Sequence, residues 1–262
     1  MAVDVSAVHK PAKKLRKVLG RLKKRPSVGD VHDLRTNTRR LEAAAAALRL
    51  PSPGPLERLR KQAGDVRDMD VLTALAAQVE VDGETECLVT LLEHLGAKRK
   101  KYARRLEAEV GRRGGRARRR LKKLSRVVDA RGTDDAAAAA AALKLETELH
   151  GARPLGEANL HPFRLQVKEL RNTLRLARDG DDEVLGALDA VKDAIGLWHD
   201  WAELYAEAKG ALPHGRKCAL LRELRRRTKK QYRVAMQQAL RLRRRYFDGH
   251  QRAVEAAATL SA

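Results

Sequence analysis

Two short stretches of this 262-residue chain set histidine beside arginine at helical spacing. His32, Arg35 and Arg39 stand at i, i+3 and i+7, so on an α-helix they share one face. His161, Arg164, Lys168 and Arg171 repeat the arrangement. A guanidinium donates two parallel hydrogen bonds to an oxyanion and an ammonium acts as a point charge, so such a face offers anion binding. The histidines admit two roles, a hydrogen-bonded residue at the edge of a core or an anion ligand, and their recurrence at matching positions keeps both open. His32 follows Asp30, a residue suited to cap a helix, which would place it in a first turn where backbone N–H groups assist an anion.

Signatures of catalysis are missing. The sequence contains no GxxxxGK[ST] loop, GxGxxG fingerprint, GxSxG elbow or HExxH motif. The close acidic pairs Glu84/Glu86 and Glu146/Glu148 join no basic or metal-binding pattern, and no His pairs with another His or Cys at ligand spacing. The expectation is a protein that is not an enzyme and carries neither metal nor cofactor. Trp198, Trp201 and Tyr205, at i, i+3 and i+7, fit core packing better than a base-stacking platform.

The elements that must position these cations are helices. Leu, Ala, Arg, Lys and Glu dominate, aromatics are 3% of the chain, and clusters of strand-forming residues are almost absent, so the fold class is all-α. Helical patterns run over 10–24, 31–49, 55–80, 84–109, 113–128, 135–150, 160–178, 182–209 and 215–247. Breaks fall between them at Pro26, Pro51–Pro55, Asp82-Gly83, Gly111–Gly115, Gly132, Gly151–Gly156, Asp179-Gly180, Pro213–Gly215 and Asp248-Gly249.

The two cationic faces belong to an internal repeat. His32 and His161 are 129 residues apart (161 − 32). At that offset Val31, Leu34, Thr38, Leu41, Ala45 and Leu48 match Leu160, Phe163, Val167, Leu170, Leu174 and Ala177. Both sets trace one continuous stripe on a helix, apolar except at Thr38, and the cations border it. Gly64-Asp65-Val66-Arg67-Asp68 and Gly196-Leu197-Trp198-His199-Asp200 match at 132 (196 − 64), Cys87 and Cys218 at 131, and Arg99-Lys100 and Lys229-Lys230 at 130. A near-constant offset over four elements argues for duplication of a unit of about 130 residues. The expected organisation is two four-helix bundles related by a pseudo-twofold, over 1–128 and 134–262, with Asp129–Thr133 as linker. Such symmetry brings the two cationic faces together, where Asp65, Asp68, Asp70, Asp193 and Asp200 are available to buttress part of the charge.

Composition points the same way. Lys and Arg number 56 against 34 Asp and Glu, a net charge of +22, which attracts anions and repels itself. The dense basic runs Lys98–Lys101 with Arg104 and Arg105, Arg112–Lys123, Arg222–Lys230 and Arg241–Arg245 read as solvated extensions of an anion surface. Arg99, Lys100, Lys229 and Lys230 rank above the rest because the repeat preserves them. No apolar run approaches the roughly 20 residues of a membrane helix, and the first residues lack a signal-peptide pattern, so a soluble cytoplasmic protein without membrane contact is expected. Cys87 and Cys218 show no metal-type spacing and read as core residues.

These residues resemble the CHAD family, the conserved-histidine α-helical domain. The match rests on Val31-His32-Asp33-Leu34-Arg35 with Arg39-Arg40-Leu41, and on Gly64 with Arg67-Asp68-Met69-Asp70-Val71-Leu72. It continues through Leu160-His161 with Arg164, Lys168, Leu170 and Arg171, and Gly196 with Asp200. The resemblance implies paired four-helix bundles and binding of inorganic polyphosphate in a basic central groove, often at polyphosphate granules. By position it implicates His32, Arg35, Arg39, Arg40, His161, Arg164, Lys168 and Arg171. Three residues depart from the family pattern: Glu42 in place of a basic residue, Asn172 in place of Tyr and His199 in place of Asn. The ExExK signature of the triphosphate-processing CYTH domain, to which some members are fused, is absent. The main alternative is a non-specific nucleic-acid binder, with weak binding at low salt expected from charge alone, but the chain is poor in the aromatics that single-strand and RNA readers use.

Overall fold

A computed structural model describes residues 5–22, 26–81, 85–131, 135–150, 154–176, 181–212 and 218–247. These form eight α-helices: α1 (Ser6–Arg21), α2 (Val28–Ala47), α3 (Pro55–Ala76), α4 (Thr85–Arg131), α5 (Asp135–His150), α6 (Glu157–Leu174), α7 (Asp182–Ala211) and α8 (Ala219–Leu242). A π-helical segment, Arg243–Phe247, continues α8. The all-α expectation holds, and the described residues contain no strand. The expected breaks at Asp82-Gly83, Gly132, Asp179-Gly180, Pro213–Gly215 and Asp248-Gly249 lie outside the described residues.

Helix starts follow local chemistry. Ser27 caps α2, its hydroxyl accepting from the Asp30 backbone N–H at 3.1 Å and donating to the Asp30 carboxylate at 2.9 Å. The cap is therefore Ser27, not Asp30, and His32 lies beyond the first turn, out of reach of the free N–H groups at the helix end. Before α3, Gly54 adopts a positive φ of 57° and Pro55 occupies the first turn, where its missing N–H has no cost. Asp181 caps α7, accepting from the N–H groups of Glu183 and Val184.

One sequence expectation is overturned. The glycines at 111, 114 and 115 do not break the chain: α4 runs unbroken for 47 residues, through the expected gap and on through Asp129–Arg131 of the expected linker. A helical glycine costs only about 1 kcal/mol relative to alanine. Here the arginines Arg112, Arg113 and Arg116 between and beyond them favour the helix, and the stripe Leu106, Val110, Ala117, Leu121 and Leu124 is buried across the region. Packing of a continuous apolar face outweighs the local penalty.

Three apolar clusters hold the helices together. In the first, α1–α4 close a four-helix arrangement around Leu15, Leu19, Leu34, Leu41, Leu59 and Leu106. In the second, α5–α8 and the π segment enclose Leu160, Phe163, Val167, Ile195 and Leu242. The third joins the halves: the α3–α4 ends contribute Leu72, Cys87, Leu91 and Leu95, and the α7–α8 ends contribute Trp201, Leu204, Cys218 and Leu224. Both cysteines are buried and outside any disulfide, and Trp198 and Trp201 are core residues. The two stripes face these cores. Val31, Leu34, Thr38, Leu41, Ala45 and Leu48 are buried, as are Leu160, Phe163, Val167 and Leu170; Leu174 is half-buried and Ala177 lies outside the described residues. Contacts of α2 with α6 and of α3 with α7 bring the four inner helices to one place.

Candidate anion-binding site

Where α2, α3, α6 and α7 converge, the structure leaves a cavity of about 680 Å³. His32, Arg35, Arg39 and Arg40 line it from α2, and His161, Arg164, Lys168 and Arg171 from α6. The other four residues singled out in the sequence are elsewhere. Arg99 on α4 pairs with Asp70 at 2.6 Å and donates to the Pro26 carbonyl, tying α4 to α3. Lys100, Lys229 and Lys230 are exposed and do not line the cavity.

The repeated glycines seat the arginines. A Cβ on Gly64 would lie 3.0 Å from Nη1 of Arg35, and one on Gly196 only 2.7 Å from Nη2 of Arg164. Each guanidinium therefore lies against the backbone of the neighbouring helix, in space that a side chain would fill. Arg35 donates to Asp68 at 3.2 Å, and Nε of Arg164 donates to the Lys192 carbonyl at 3.1 Å. Burial raises the pKa of Asp68, partly offset by Arg35 and reinforced by Asp200 and Asp65. Arg35, Arg164, Asp68 and Asp200 thus form one interacting quartet at the junction of the halves.

Several of the neighbouring acids are engaged as well. Asp193 meets Lys192 at 3.0 Å, and Glu207 is held by Lys98 at 2.6 Å and His94 at 2.9 Å, bridging α7 to α4. Asp189 receives Arg171, Lys192 and Arg175. Burial opposes its ionisation, but hydrogen bonds from Lys192 and Arg171 outweigh that effect and lower its pKa. Among the described residues, Arg39, Arg40, Arg67 and Lys168 have no carboxylate partner and face the cavity. Burial, then the nearby charges of Arg35, Arg60 and Arg164, pull the Arg39 guanidinium down to about 10. It remains cationic at neutral pH in a setting that an anion would stabilise.

Glu42 is paired across helices, and its charge also acts on the nearby Arg39. It is half-buried and bound by Arg60 on α3 at 2.9 Å, so the pair is neutral. The equivalent position in the second half is Arg171, bound by Asp189 on α7 at 2.5 Å. The polarity of the inter-helix pair is reversed and its neutrality retained.

Sequence reasoning did not place Arg67, Lys192 or His199 in the site. Each lies within about one turn of Gly64 or Gly196, so the glycines marked the lining segments of α3 and α7. The His161 and His199 rings are 4.7 Å apart between centroids. Burial, His199, Arg164 and Arg39 lower the pKa of His161, and Asp200, 3.9 Å from Nδ1, raises that of His199. Thr36 lies 3.5 Å from Nε2 of His32. Among the described residues no group of three or more His, Cys, Asp or Glu side chains is arranged to hold a metal ion, and no helix is long and apolar enough to cross a membrane.

The CHAD domain family model matches residues 6–209. The chain belongs to this family. Two solved structures share its fold. The crystal structure of the CHAD domain from the plant Ricinus communis superposes with a TM-score of 0.64 at 18% identity, covering 92% of this chain and 91% of that one. PptA from Streptomyces chartreusis gives a TM-score of 0.58 at 17% identity, covering 92% of this chain and all (100%) of the other. No curated protein matches the chain. All four stretches that carried the resemblance fall within the matched CHAD segment, whereas α8 lies beyond it and packs on α7.

Proposed function

We propose that this CHAD protein binds inorganic polyphosphate in the central cavity, as a binding module without catalysis, in the cytoplasm and at polyphosphate granules. One observation carries the reading. The cationic faces of α2 and α6, 129 residues apart in sequence, line a single cavity in which Arg39, Arg40, Arg67 and Lys168 have no carboxylate partner among the described residues. The paired arginines and acids act as buttresses, and the unpaired cations meet the phosphates. A phosphate chain carries roughly one charge per unit and is thin and flexible enough to thread between helices. Its binding releases counterions and weakens steeply with salt.

The test compares long-chain polyphosphate with duplex DNA at physiological salt, for the wild type and an Arg35/Arg39/Arg164/Lys168→Ala variant. Polyphosphate binding that the variant loses, with DNA not bound, supports the reading. DNA binding that the variant retains would assign the affinity to the outer basic runs and refute it.

A further inference from the structure

A second cavity, of about 780 Å³, opens on the outer side of the first bundle between α3 and α4. Arg58 and Lys61 line it from α3, and Arg104, Arg105, Arg112 and Arg113 from α4. The α4 residues fall at i, i+1, i+8 and i+9, which spread over about half the circumference of the helix along roughly two and a half turns. Glu109 is the only carboxylate among the lining residues, and it is already engaged: Arg112 donates two hydrogen bonds to it, at 3.0 and 2.6 Å, and Arg113 a third. Those bonds hold the Glu109 pKa below its ordinary value, so it stays ionised and keeps both guanidiniums in place. Arg58 and Arg104 have no carboxylate partner among the described residues, and Lys61 meets Glu57 at 3.2 Å outside the cavity lining. Six cations thus face one occupied acid, whereas the central cavity sets eight Arg and Lys side chains against six carboxylates.

The two cavities are neighbours through one ring. Tyr102 lines the central cavity, and Arg105 of the outer one lies over that ring at 5.8 Å. We infer that the α3–α4 cleft is a second polyphosphate site, which takes up the same chain as it leaves the central cavity and makes affinity depend on chain length. The inference rests on the polyphosphate reading above. Packed helix axes lie roughly 8–10 Å apart, so a cleft between two of them admits a single phosphate strand and not a duplex. Single-stranded nucleic acid would need stacking rings, and the lining residues of the cleft include no aromatic.

A chain held at one site reaches the next at high effective concentration, so the outer cations should multiply the affinity of long chains alone. The test uses the full chain with Arg58/Arg104/Arg105→Ala, and separately Arg104→Glu, titrated with tripolyphosphate and with long-chain polyphosphate across a salt series. Both variants are expected to bind tripolyphosphate like the wild type. Both should bind the long chain roughly tenfold more weakly, with a salt slope shallower by about two to three for the triple variant and by about one to two for Arg104→Glu. Wild-type affinity and slope for the long chain would overturn the inference, as would equal losses for both ligands. Displacement of the long chain from the outer cleft by duplex DNA at physiological salt would overturn the assignment to polyphosphate. Failure of the central reading looks different: the wild type would not bind tripolyphosphate, or the Arg35/Arg39/Arg164/Lys168→Ala variant would bind it unchanged.

Discussion

Arg35 and Arg164 occupy matching places in the two halves of the central cavity, yet they are held differently. Arg35 is fixed by a carboxylate, Asp68, with Gly64 beneath it at a distance a methyl group would barely fit. Arg164 is fixed by a backbone carbonyl and lies so close to Gly196 that a methyl group would overlap its Nη2. The first seat is electrostatic and tolerant, the second steric and exacting. Charge reversal between Glu42–Arg60 and Arg171–Asp189 teaches the same lesson. After duplication, a repeat can exchange the sign of buttressing groups, provided each inter-helix pair stays neutral, while the cation pairs Arg35/Arg164 and Arg39/Lys168 keep theirs.

The largest expected effect tests whether the two halves act as one site. Arg35→Ala/Arg39→Ala/Arg164→Ala/Lys168→Ala should lower polyphosphate affinity by about 100-fold or more, since a charge-assisted hydrogen bond contributes about 1.5–3 kcal/mol. Removing the cations of one half alone should cost much less if the halves bind independently, and nearly as much if they bind jointly; calorimetric titration separates the two.

Next come the glycines. Gly196→Ala should displace the Arg164 guanidinium and weaken polyphosphate binding by about tenfold, whereas thermal stability should hold or rise, because alanine is favoured over glycine in a helix by about 1 kcal/mol. Gly64→Ala should weaken binding only a few-fold by the same reasoning. Equal effects would erase the distinction between a steric and an electrostatic seat.

The histidine pair should add a pH dependence confined to the second half. His199 is poised to protonate above its ordinary range because of Asp200, with Glu203 adding to the effect, and His161 below it because of burial, His199, Arg164 and Arg39. An anion favours both protonated rings, so affinity should rise a few-fold as pH falls from about 8 to about 5.5, first through His199 and then through His161. His199→Ala should flatten the upper part of that profile. In the absence of ligand, the lowered His161 pKa costs stability as pH falls through the ordinary histidine range, and the raised His199 pKa contributes stability that is lost as pH rises above it.

The smallest effect concerns the reversed pair. Glu42→Gln should free Arg60 and raise anion affinity about two- to threefold, in line with the modest contribution of partly exposed ion pairs. No change would mean that Arg60 stays turned away from the cavity.

Helical content, the duplicated stripes and the cationic borders at His32–Arg40 and His161–Arg171 are legible in the order of residues, because a 3.6-residue period converts spacing into a face without knowledge of the partner. Position in the chain could not show which cations remain unpaired. Asp70 takes Arg99, Glu42 takes Arg60 and Asp189 takes Arg171, and each partner sits 18 to 29 residues away on another helix. The uninterrupted α4 was equally hidden, since glycine propensity is local and the buried face that overrides it is not. The outer cleft appeared in the sequence only as one basic run among several. Arg58 and Lys61 stand some 45 residues before Arg104, and only the packing of α3 against α4 turns two charged surfaces into one concave site. Faces are a property of one helix, whereas cavities and charge balance belong to the contacts between helices.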